Sequence, residues 1–122
     1  MTVRPHKNLV AWKEAIQLVK DIYLLCDRLP ESEKFGLVSQ LKRASVSVPA
    51  NIAEGAARSS KKEFIYFLYI SSGSLSEVDT LLTIAIELNF LKPEDLTIVL
   101  ERTHKIASLI NGLIKSLKSE KQ

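Results

Sequence analysis

Residues 41–58, LKRASVSVPANIAEGAAR, have the composition of a helix and carry a proline near their middle. Pro49 deletes one i to i−4 hydrogen bond and crowds the carbonyl of Ser45, a cost of ~3 kcal/mol inside a helix. A helix that keeps such a residue must recover bonds locally and pack closely elsewhere. Both means are present. Ser45 and Ser47 can bond nearby carbonyls, and Ala44, Ala50, Ala53, Gly55, Ala56 and Ala57 let a neighbouring helix approach. The competing reading is a true break, with Asn51 and Glu54 opening a new helix through an N-x-x-E capping box. Gly55 directly afterwards makes a poor first turn, so the stretch reads as one helix kinked at Pro49.

Helical periodicity extends along the rest of the chain. Apolar residues at three- and four-residue spacing predict helices over residues 8–28, 32–58, 61–89 and 93–118. Asn8 is the expected N-cap of the first. Its stripe is Trp12, Ala15, Ile16, Val19, Ile22, Tyr23 and Cys26, with Val10, Leu18 and Leu25 off it. Pro30 ends that helix. The second buries Val38, Leu41, Ser45, Val48 and Ile52. Ser60 and Glu63 form a capping box for the third, whose seam runs from Phe64 through Leu68, Ser71, Ser74, Leu75, Val78 and Leu82 to Leu88. Gly73 costs ~1 kcal/mol there relative to alanine, and close contact with the small-residue face of the second helix is expected to explain it. Asn89 opens a turn, and Pro93, Glu94 and Asp95 start the fourth helix with acids near its positive end. Its stripe includes Val99, Thr103, Ile106, Ile110 and Leu117. Four such helices with short connections predict an all-α, up-down-up-down antiparallel four-helix bundle, one domain over residues 1–122.

The residues offer little chemistry. No apolar run is long enough to span a bilayer, and nothing resembles a signal peptide, so a cytoplasmic protein without membrane association is expected. The lone Cys26 fits a reducing compartment and lies on an apolar stripe, as a core residue does. There is no glycine-rich phosphate loop and no nucleophile elbow. Glu101 and His104 make one Glu-x-x-His pair, where a di-iron bundle needs two pairs and further glutamates. No catalytic residue, metal site or cofactor is expected. Asn51, Glu54 and Glu77 read as a hydrogen-bond network fixing the kink or a subunit contact. Trp12 and the tyrosines fall at helical spacing and read as packing residues. The third helix is apolar on more than one face, with Ile65, Tyr66, Tyr69, Ile70, Ile84 and Ile86 widening its band. A helix apolar all round has several neighbours, which implies self-association.

Arg43, Ala44, Ser47, Pro49, Ala50, Asn51, Ile52, Ala53, Glu54 and Gly55 spell an RA-x-x-S-[IV]-PANIAEG block, and Gly73, Ser74, Leu75 and Glu77 a GSL-x-E block. With the leucine-rich last helix, these resemble the four-helix-bundle family encoded in intervening sequences of bacterial 23S ribosomal RNA genes. Relatives there include the accessory variability determinant of diversity-generating retroelements. The likeness covers residues 12–117, with one departure at Ser72, where members often carry a basic residue. It implies ring-like homopentamers and an association with nucleic acid or a nucleic-acid enzyme.

Charge placement supplies the candidate site. In an up-down bundle one end gathers Arg4, Lys7, Lys13, Arg58, Lys61, Lys62, Lys115, Lys118 and Lys121 against Glu14, Glu63 and Glu120. The other gathers Asp27, Glu31, Glu33, Glu87, Glu94 and Asp95 against Arg28, Lys34 and Lys92. Lys61 and Lys62 open a helix, where positive charge opposes the dipole, so helix stability does not account for them. The expected function is a non-enzymatic oligomer that contacts RNA or DNA without reading sequence. Arg58, Lys61, Lys62, Lys115 and Lys118 would carry the contact, with Lys42 and Arg43 extending it along the bundle. The alternative is a protein–protein interaction scaffold that binds no nucleic acid.

Overall fold

The computed structural model describes residue 6 and residues 9–120. Among these, the α-helices are Val10–Cys26 (α1), Leu37–Ala56 (α2), Lys61–Glu87 (α3) and Thr97–Ser119 (α4), and no strand forms. Short 3₁₀ turns at Glu31–Glu33 and Pro93–Leu96 precede α2 and α4. Each helix packs on its two neighbours in the order α1, α2, α3, α4 and back to α1, the α2–α3 contact being the most extensive. Contacts across the pairs run antiparallel. Arg28, beyond the end of α1, meets Asp95 ahead of α4, while Asp21 and Glu14 meet Arg102 further along it. Val48 and Ser47 of α2 meet Ser71 and Ser74, and Gly55 meets Phe67 and Phe64.

The helix ends follow from local chemistry. α2 starts several residues later than its apolar pattern suggests, because Gly36 adopts φ −108°, ψ −111° and interrupts the run. Glu33 then caps the helix: its carboxylate accepts from the Leu37 amide at 3.1 Å, satisfying a first-turn donor with an anion at the positive end. Ser60 caps α3, its hydroxyl accepting from the Glu63 amide at 3.1 Å. Beyond the other end, Asn89 takes φ 62°. The Asn89 amide donates to the Ile86 carbonyl and the Phe90 amide to that of Ala85, both at 2.9 Å, which makes a Schellman stop. The Asn8 cap lies outside the described residues, and the N-cap position of α1 is Leu9.

α2 is one helix through Pro49, so the alternative of a break at Asn51 fails. Side-chain hydrogen bonds cluster around the proline. The Ser45 hydroxyl donates to the Lys42 carbonyl at 2.9 Å, and the Asn51 amide donates at 2.9 Å to both the carbonyl and the hydroxyl of Ser47. From α3, the buried Ser71 hydroxyl donates to the Val48 carbonyl at 2.8 Å, and Ser74 Oγ lies 2.9 Å from Ser47 Oγ. Every buried side-chain polar atom of the described residues has a partner.

Three packing expectations are corrected. Close approach of α2 and α3 occurs at Gly55, not Gly73. A Cβ at Gly55 would sit 2.8 Å from Phe67 Cβ and 3.1 Å from the Phe64 carbonyl oxygen, whereas one at Gly73 would meet nothing within 4 Å. In α1 the buried residues are Ala11, Ala15, Leu18, Ile22, Leu25 and Cys26, while Trp12, Ile16 and Val19 are half-buried and Tyr23 is exposed. The stripe is therefore rotated toward Leu18 and Leu25. Apolar residues occupy several faces of this helix, and the phase is set by Glu14 and Asp21, which are held toward α4. In α3, Leu88 is exposed, because it lies at the stop and not on the seam.

Candidate nucleic-acid interface

Arg58 follows α2, Lys61 and Lys62 open α3, and Lys115 and Lys118 end α4, so the antiparallel bundle brings all five to one end. They are not equally available. Arg58 donates to Glu54 at 2.7 Å, lies 3.9 Å from the Glu63 carboxylate and stacks over the Phe67 ring at 4.9 Å. Lys61 pairs with Glu120 at 2.6 Å. The Lys118 ammonium donates to the Tyr69 hydroxyl at 2.9 Å. Lys62 and Lys115 are exposed and form no ion pair among the described residues. Acids thus offset part of the basic end, including Glu54, which charge counting by chain position had left out.

Lys42 and Arg43 do not join this group. Lys42 sits over the Tyr23 ring at 4.7 Å and lines a groove with Asp27, Glu31 and Lys34 at the opposite end. Arg43 is exposed beside it in sequence. The Asn51, Glu54 and Glu77 network is also divided. Asn51 bonds Ser47, Glu54 belongs to Arg58, and Glu77 is exposed without a hydrogen bond among the described residues. The tyrosines, expected as packing residues, are exposed: Tyr23 at 43%, Tyr66 at 61% and Tyr69 at 52%. Trp12 is half-buried, with the His6 ring 5.0 Å away edge-on.

Sequence reasoning missed the charge network on the α1–α4 seam. Arg102 donates from Nε to Asp21 at 2.6 Å and from Nη1 to Glu14 at 2.7 Å, and Lys105 reaches Glu14 at 3.2 Å. The Lys105 hydrogen bond, with Arg102 beside it, holds the Glu14 carboxyl below its ordinary value against the effect of burial. Asp21 and then Glu14 raise the Arg102 guanidinium. The available signal was spacing: Glu14 and Asp21 stand one heptad apart on one helix face, and Arg102 and Lys105 share a face of another.

Cys26 is buried, and burial raises its thiol, which disfavours the thiolate. Glu101 and His104 are both exposed, and among the described residues no group of three or more histidine, cysteine or acidic side chains is placed to hold a metal. No described helix is long and apolar enough to cross a membrane.

The model of the 23S rRNA-intervening sequence protein family matches residues 7–112. A crystal structure of a protein of unknown function from the S23 ribosomal protein family of Bacteroides thetaiotaomicron has the same fold. Its TM-score is 0.79 at 24% identity, over 87% of this chain and 99% of its own. No curated protein matches the chain.

Proposed function

Because the chain belongs to the 23S rRNA-intervening sequence protein family, we propose that it is a non-enzymatic, oligomeric helical bundle that holds RNA or DNA by the phosphate backbone at its basic end. The observation that carries this reading is the exposure of Lys62 and Lys115 with no acidic partner among the described residues, beside Arg58, Lys61 and Lys118. Lys62 stands in the first turn of α3, where the helix dipole disfavours a cation, so a bound anion would relieve that conflict. Contacts of this kind position a backbone and carry no base readout. The setting is a reducing cytoplasm, and the role is that of an accessory to an enzyme acting on nucleic acid.

Self-association is part of the proposal. Ile84 of α3 and Leu88 just past its end are exposed, and Gly73 faces open space in mid-helix, where glycine costs ~1 kcal/mol with no return inside the subunit. A second copy packed there accounts for all three, and a closed ring of five subunits would set the basic ends on one face. The test is fluorescence anisotropy of a labelled RNA at several salt concentrations, beside sedimentation of the protein alone. Affinity that falls steeply with salt, from a closed oligomer, supports the reading. A monomer that leaves RNA unbound at low salt overturns it.

One observation favours the scaffold alternative. Phe35 is 89% exposed between α1 and α2, with the Lys34 ammonium 5.7 Å from its ring centre, and a projecting ring suits a protein partner. A closed oligomer that leaves the same RNA unbound at low salt would turn the account toward it.

A further inference from the structure

The basic end interleaves its cations with aromatic rings. Tyr66 and Tyr69 stand three residues apart on the outer side of α3, 61% and 52% exposed. Tyr66 meets Phe67 edge-on, with ring centres 5.3 Å apart at 82°, and Arg58 lies over that same Phe67 ring. Lys118 is 2.9 Å from the Tyr69 hydroxyl and 5.4 Å from its ring centre, so the ammonium sits toward the hydroxyl edge and not over the middle of the ring. Between α3 and α4 an open groove of about 520 Å³ begins at Tyr69 and is walled by Asn111, Ile114, Lys115, Lys118 and Ser119. Tyr69 thus joins the aromatic pair to the lysine-walled groove, and Tyr66 stands three residues earlier on the exposed face of α3, before the groove begins.

We infer that this groove and the exposed face of α3 beside it take an unpaired nucleic-acid strand, with bases stacked on Tyr69 and Tyr66 and phosphates held by Lys115 and Lys118. Each component has its own chemistry. A tyrosine face accepts any base, because every base has a π surface, and so a stacking platform reads strandedness and not sequence. Paired bases keep those surfaces inside the helical stack, and a duplex can offer the groove only its backbone. Asn111 adds an amide with both donor and acceptor groups at the groove wall, suited to the edge of a splayed base. Buried alternatives for the two rings are already taken: the interior positions of α3 are filled by Leu68, Ser71 and Leu75.

This inference rests on the nucleic-acid reading above, and its test separates the two. The full-length protein is titrated with a labelled oligouridine and with a labelled RNA duplex of equal length. The wild-type protein binds the single strand more tightly. Replacing Tyr66→Leu and Tyr69→Leu together weakens oligouridine binding by about tenfold or more, while duplex affinity and the salt dependence stay as they were. Tyr66→Phe with Tyr69→Phe retains the rings and restores single-strand affinity. Lys115→Gln instead weakens both probes and flattens the salt dependence. If the leucine variant binds oligouridine like the wild type, the stacking platform is wrong while the basic-end function stands. If the wild type binds neither probe, both fail. Dissociation of the oligomer in the leucine variant assigns the tyrosines to a subunit contact and also overturns the inference.

Discussion

The two long seams of the bundle are built from opposite materials. Where α2 meets α3, small residues bring backbones together: Gly55 lies against Phe64 and Phe67, and serine hydroxyls from α3 bond to α2 around Pro49. Where α1 meets α4, the outer edge is closed by charge, with Arg102 clasping Glu14 and Asp21 and Lys105 adding a second hold on Glu14. The first seam tolerates almost no added volume and is indifferent to salt and pH. The second, closed by ionised groups, responds to both. The hydroxyls of α3 bond Val48 and Ser47, the two residues that precede Pro49, so polar contact on the tight seam is concentrated at the proline.

The largest expected effect comes from adding bulk to the tight seam. Gly55→Leu should destabilise the protein by ~3 kcal/mol or more, because the first added carbon already meets backbone and a Cβ atom. Urea unfolding reads this directly, and a loss below the error of the fit would dissolve the contrast between the seams. Next is the charged seam. Arg102→Met should cost about 2 kcal/mol by leaving Asp21 without its hydrogen-bonded partner. Glu14 also gives this seam a pH dependence. Its folded-state value lies below the ordinary 4.5, so its stabilisation is complete above that value and is lost as the pH falls through the depressed one. Urea midpoints measured down through the acid range should drop for the wild-type protein and drop less for Glu14→Gln. The smallest effect should have the opposite sign. Gly73→Ala fills open space in a helix and should stabilise the subunit by ~1 kcal/mol. Sedimentation of the same variant sharpens the picture, since weakened self-association would place a subunit contact at Gly73.

These contrasts show which features of the chain a sequence can express. The four helices were legible from their periodicity, and the Ser60 cap and the passage of α2 through Pro49 from local chemistry. The phase of α1 was not, because apolar residues surround it and the deciding contacts come from Arg102, 81 and 88 residues away from Asp21 and Glu14. Gly55 and Gly73 look alike in a string of letters, yet only helix rotation decides which one meets a neighbour. For the site, fold topology correctly gathers Arg58, Lys61, Lys62, Lys115 and Lys118 at one end. Pairing is a matter of side-chain reach, and so Glu54 was not counted at this end, and Glu120 was counted there without its partner Lys61. Lys42 misled for a related reason: its distance along α2 places it beside Tyr23 and the acidic end.

The central claim is that the unpaired cations of the basic end hold a phosphate backbone. Its most direct measurement is the slope of log affinity against log salt for a single-stranded RNA, compared between the wild-type protein and Lys62→Glu with Lys115→Glu. The account predicts weaker binding and a slope shallower by ~1.4, from two lost contacts at ~0.7 each, in a variant that sediments like the wild type. An unchanged slope and affinity in that intact variant would contradict it.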